Sequence, residues 1–81
     1  MIEYHVGEHR NGRIKFTTDV DCLSPDILRY SKQVFPDRKA VMDQAYILAG
    51  RGFSVCVDDE QGLDELTPYM VGGKQEGISH V

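Results

Sequence analysis

Eighty-one residues make one domain with a thin stability margin, because a chain of this size buries only about 60% of its unfolded surface. Hydrophobic residues at 41% and charged residues at 27% are ordinary for a soluble globular protein, and no apolar run approaches the roughly 20 residues that span a bilayer. A net charge of −4 argues against general phosphate-backbone binding, which goes with a basic surplus.

The chain opens on a hairpin. Ile2, Tyr4 and Val6 alternate with Glu3, His5 and Gly7, while Ile14, Phe16, Thr18 and Val20 alternate with Lys15, Thr17 and Asp19. A two-residue loop at Asn11-Gly12 would turn the apolar residues of the two strands to opposite faces. A loop of Arg10-Asn11-Gly12, with Gly12 in the left-handed position, instead opposes Val6 to Phe16, Tyr4 to Thr18 and Ile2 to Val20. The three-residue loop is therefore expected. Glu3, His5, Glu8 and His9 interrupt any signal-peptide apolar segment, so the expected location is cytoplasmic.

Ser24-Pro25-Asp26 has the chemistry of a helix start. In the segment that follows, Ile27, Leu28, Tyr30, Val34 and Phe35 fall on one helical arc with Arg29, Lys32 and Gln33 opposite. A first helix is expected here, with a third meander strand as the alternative. Pro36 stops it, and Asp37 caps a second helix from about Arg38 to Ala49. Val41, Met42, Ala45, Tyr46, Leu48 and Ala49 of that helix face inward; Ile47 lies on the polar side. Gly50 and Gly52 end it. Phe53, Val55 and Val57 then alternate with Ser54 and Cys56 as a strand on the same apolar face as Val6 and Phe16. Asp58 to Gly62 reads as a turn, Leu63 to Leu66 as a helical turn, and Tyr69-Met70-Val71 as a short apolar run. The expected fold is α+β: a small antiparallel sheet packed on one face by two helices, in ββααβ order, with a C-terminal appendage. Residues 1–71 form the domain and 72–81 a flexible tail. The appendage Leu66 to Val71 completes either the core or a homodimer seam.

Catalytic constellations are hard to find. His5 and His9 share strand parity but stand roughly 13 Å apart along an extended strand, and His80 is in the tail. Closely spaced Cys/His pairs for zinc are absent from the sequence. Cys22 and Cys56 are too few for a disulfide framework and suit a reducing compartment. Cys22 precedes the expected helix start, where a thiol pKa can fall. Cys56 reads as a small buried hydrophobe. Gly50-Arg51-Gly52 follows a helix, whereas a dinucleotide loop opens one. Asp58-Asp59-Glu60-Gln61-Gly62 lacks the alternate-residue ligands of a calcium loop.

Charge is distributed unevenly. Arg29, Lys32, Arg38 and Lys39 suggest a basic helix face, and Arg10 and Arg13 flank the hairpin tip. Asp58, Asp59, Glu60, Asp64 and Glu65 form an acidic stretch. Such separation suits partner steering. The expected function is a small non-enzymatic intracellular protein-binding module, an inhibitor or adaptor that blocks a partner surface, with those eleven charged residues as its contacts. In size and style the chain is similar to phage-encoded or other mobile-element accessory proteins. No cofactor, metal or membrane is expected. The alternatives are a nucleic-acid accessory protein using the basic helix face and hairpin tip, though the net charge opposes nucleic acid, and a small cysteine- or histidine-dependent enzyme.

Overall fold

The opening hairpin takes the three-residue loop. In the computed structural model, which describes residues 1–68, β1 (Ile2–His9) and β2 (Arg13–Thr17) pair antiparallel with Val6 opposite Phe16 and Glu8 opposite Ile14. Gly12 has φ +80°, and its N–H donates to the His9 carbonyl at 3.2 Å. The expected continuation, Tyr4 opposite Thr18 and Ile2 opposite Val20, is not made. At Thr17 the hydroxyl donates to the Asp19 carbonyl and accepts from the Asp19 N–H, which turns the chain into a single 3-10 turn at Val20–Cys22.

The first expected helix is a strand. β3 (Ile27–Phe35) pairs antiparallel with β1, from Ile2 opposite Phe35 to His9 opposite Ile27. Ser24 Oγ accepts from the Asp26 N–H, but as a turn that feeds the strand. Periodicity misled here because β3 is an edge strand: only Ile27 and Phe35, at its ends, are half-buried. With no buried face along its middle, it shows no alternation to read. Its composition (Ile27, Tyr30, Val34, Phe35) is nevertheless that of a strand.

The expected second helix forms as α1 (Arg38–Gly50), with the Asp37 carboxylate accepting from the Ala40 N–H at 2.9 Å. It buries Val41, Ala45 and Ala49, with Met42 and Leu48 packed beside them; Tyr46 and Ile47 are exposed. Tyr46 therefore departs from its expected inward position. Next come β4 (Ser54–Asp59) and β5 (Gly62–Leu66), joined at Glu60-Gln61. Asp58 and Asp59 thus belong to a strand, and Leu63 to Leu66 are strand where a helical turn was expected. The two-helix ββααβ arrangement is overturned: among the described residues the order is βββαββ, with one helix against a five-stranded mixed sheet ordered β3-β1-β2-β4-β5. Leu66 joins the core opposite Val55. Tyr69 to Val71 and the expected tail lie outside the described residues.

Strand directions explain where the connections run. β2 and β3 are each antiparallel to β1, and β4 is parallel to β2, so β2, β3 and β4 all point the same way. Two crossovers are therefore needed, from β2 to β3 and from β3 to β4, travelling in opposite directions across the sheet. Parallel crossovers share one hand, which places these two on opposite faces. The β3-to-β4 crossover contains α1, which covers Tyr4, Val6, Ile14, Phe16, Val55 and Val57. The β2-to-β3 crossover, residues 18–26, straps the other face. A Cβ on Gly7 would stand 3.1 Å from Leu23 Cδ2 of this strap, and Lys15 Nζ donates to the Cys22 carbonyl at 3.1 Å.

Candidate functional site

The fold redistributes the charged residues. Arg29 and Lys32 lie on β3 opposite Glu8 and His5, on opposite faces of the sheet, so no basic helix face exists. Arg38 sits in the first turn of α1. Its Nε donates to Asp59 Oδ2 at 2.8 Å and its Nη2 to Asp64 Oδ2 at 2.6 Å. Lys39 pairs with Asp43 at 3.1 Å on the exposed side of α1, an arrangement that contributes little. The basic segment and the acidic stretch, read from sequence as separate poles, are thus joined through Arg38.

The acidic stretch is a β-hairpin whose members face different ways. The Asp59 side chain is 6% exposed and also accepts from the Tyr4 hydroxyl at 2.6 Å. Burial alone would raise its pKa, but the hydrogen bonds from Tyr4, Arg38 and the Gln61 amide outweigh this and hold it below the usual carboxylate range. Burial, reinforced by the bond to Asp59, pushes the Tyr4 phenol up. Asp58 faces the strapped side, 3.9 Å from Lys15, and Glu65 lies 3.9 Å from Arg13. Glu60 is exposed at the turn. Asp59 and Asp64 therefore serve the fold through Arg38, and Asp58 is half-buried beside Lys15, leaving Glu60 and Glu65 as the exposed members.

At the hairpin end, Arg10, Arg13, Lys15, His9, Cys22 and Asp26 line an open cleft of about 500 Å³. It is of mixed charge: the Lys15 ammonium serves the Cys22 carbonyl, and His9 Nδ1 contacts the Asp26 carbonyl at 3.2 Å. Desolvation, with Asp19 and Asp58 nearby, raises the Cys22 thiol, and burial raises that of Cys56. Both sulfurs are driven toward the protonated, less nucleophilic form. His5 and His9 remain apart. His5 stacks on Tyr30 with ring centroids 5.9 Å apart and hydrogen-bonds its hydroxyl at 2.7 Å, while His80 lies outside the described residues. Among the described residues, no group of three His, Cys, Asp or Glu side chains is placed to hold a metal ion, and no helix is long and apolar enough to cross a membrane.

The feature missed from sequence is the outer edge of β3. This nine-residue strand ends the sheet, and among the described residues no strand pairs with its outer side. Leu28, Tyr30 and Val34 are 54%, 48% and 55% exposed. A bare edge of this length is a template for strand pairing. Its blunting devices are modest: Arg29, Lys32 and an irregularity opposite Glu8/His9 that leaves Leu28 as the extra residue. No protein-family model, curated protein or solved structure matches the chain.

Proposed function

We propose that the chain is a non-enzymatic protein-binding module that accepts an extended strand along β3 and acts, as an inhibitor or adaptor, by occupying its partner's strand. The open edge carries this reading. It offers main-chain groups that no strand pairs among the described residues, for affinity, with Leu28, Tyr30 and Val34 beside them for selectivity. The raised thiol pKa values count against cysteine catalysis. Two free cysteines, one exposed, suit a reducing, cytoplasmic setting.

The test is capture from extract of the native host, comparing wild type with a Leu28→Lys/Val34→Lys variant, followed by hydrogen exchange on the complex. Capture lost in the variant, with new amide protection on β3, is the expected result. Protection confined to the acidic hairpin, or capture indifferent to the variant, overturns the reading.

A further inference from the structure

We propose that the strand accepted by β3 is β3 of a second copy, paired antiparallel about a two-fold axis at Ser31, so that two five-stranded sheets become one continuous sheet. This rests on the strand-capture reading and names the strand. Directly opposed residues of an antiparallel pair project to the same face, so the axis allows only registers that oppose residues of equal parity. The longest overlaps are centred on Tyr30, Ser31 or Lys32.

These registers differ in chemistry. Centred on Tyr30, the pairing sets Leu28 against Lys32 and Ile27 against Gln33, apolar against polar. Centred on Lys32, it sets two ammoniums face to face and Arg29 against Phe35. Centred on Ser31, it sets Leu28 against Val34, Tyr30 against Lys32 and Arg29 against Gln33, each twice by symmetry. Exposed aliphatic side chains meet, the lysine stem and charge lie along a tyrosine ring, and a guanidinium faces an amide acceptor. No like charges are directly opposed. The irregularity at Leu28 marks where the pairing stops.

The register is tested by a cysteine at the axis. Cys22 is exposed and is first replaced by serine; Cys56 is buried and stays. Ser31→Cys in that background opposes its own copy at a Cα separation of about 4.5–5.5 Å, inside the roughly 4.4–6.8 Å range of a disulfide. Arg29→Cys opposes Gln33 and serves as the control. Expected are a covalent dimer from Ser31→Cys alone under mild oxidation, and a light-scattering mass that climbs with concentration from 9.1 kDa toward twice that value. Gln33→Glu, facing Arg29, should tighten the dimer roughly tenfold and Gln33→Lys weaken it roughly tenfold, since each acts twice. Equal cross-linking from Arg29→Cys, or a dimer indifferent to both Gln33 variants, overturns the proposal. A chain that stays monomeric to sub-millimolar concentration also overturns it. In that case, Leu28→Lys/Val34→Lys abolishing capture of another protein leaves the strand-capture reading standing, and unchanged capture ends both.

Discussion

Arg38 Nε donates to Asp59 Oδ2 at 2.8 Å, tying the first residue of the helix to the last residue of β4. The same carboxylate oxygen accepts from Tyr4 on β1, and the other arm of the guanidinium reaches Asp64 on β5. One cation therefore gathers three strands and the helix N-terminus. No buried side-chain nitrogen or oxygen is left without a partner among the described residues.

Removing the guanidinium should be felt by the whole fold. Arg38→Met keeps the aliphatic stem but leaves Asp59 with Tyr4 and the Gln61 amide as its donors. The expected loss is roughly 1.5–3 kcal/mol, the range for hydrogen bonds to charged groups. Urea denaturation measures it, and an unchanged midpoint would mean that the carboxylate is held equally well without the cation.

The same cluster sets the pH limits of stability. Asp59 titrates lower in the folded than in the unfolded chain. Its contribution is complete above the unfolded carboxylate pKa, about 4, and is lost as pH falls through the lower folded value. Tyr4 shifts upward, chiefly by burial. Its contribution is complete below the unfolded phenol pKa, about 10, and is lost as pH rises toward the folded one. The contribution of this cluster should therefore be level between these limits, while the raised Cys22 and Cys56 thiols begin to lower stability above about pH 8.5. Tyr4→Phe should flatten the alkaline limb; melts across the pH range that show the same limb in this variant would assign it to other groups.

How legible the fold was depended on whether each segment has one buried face. The hairpin register, the Asp37 cap and the Val55/Val57 face were readable because each sets a single buried pattern against a clear stop signal. β3 was not, because its middle residues are exposed on both sides and its spacing happens to fit a helical arc. β5 was hidden for a related reason: in Gly62–Leu66 only Leu66 is buried. The Arg38 cluster was illegible for a different reason. It depends on β4 lying parallel to β2, a topological fact that no local window contains. Because Ile27–Phe35 is a strand, Arg29 and Lys32 fall on opposite faces of the sheet and the expected basic helix face is not formed.

Phe16 tests the core that the hairpin register creates. It is 1% exposed, opposite Val6 on one side and Val57 on the other, with its ring centroid 6.1 Å from that of Phe35. Phe16→Ala should cost about 3–5 kcal/mol, as large-to-small changes at buried aromatics do, a large part of the ~5–15 kcal/mol that holds a domain together. Phe16→Leu should cost less. Thermal melts decide, and an alanine variant that melts with wild type would place this side chain outside the packed core.

Gly7 tests the strap. It is buried on β1 between Lys15 and Tyr30, and a Cβ there would meet Leu23 Cδ2 at 3.1 Å and Ile27 Cδ1 at 3.4 Å. Gly7→Ala should change stability little, because the obstructing atom is the tip of a side chain that can turn away, and alanine also restricts the unfolded chain. Gly7→Val adds two more carbons under the strap and should cost about 1–3 kcal/mol, the usual range for overpacking. The loss should be recovered in part when Leu23→Ala is added, since shortening the strap residue makes the space that valine needs. The coupling is measured by denaturing the two single variants and the double variant and comparing the sum with the whole. Additive losses would mean that the strap does not rest on Gly7.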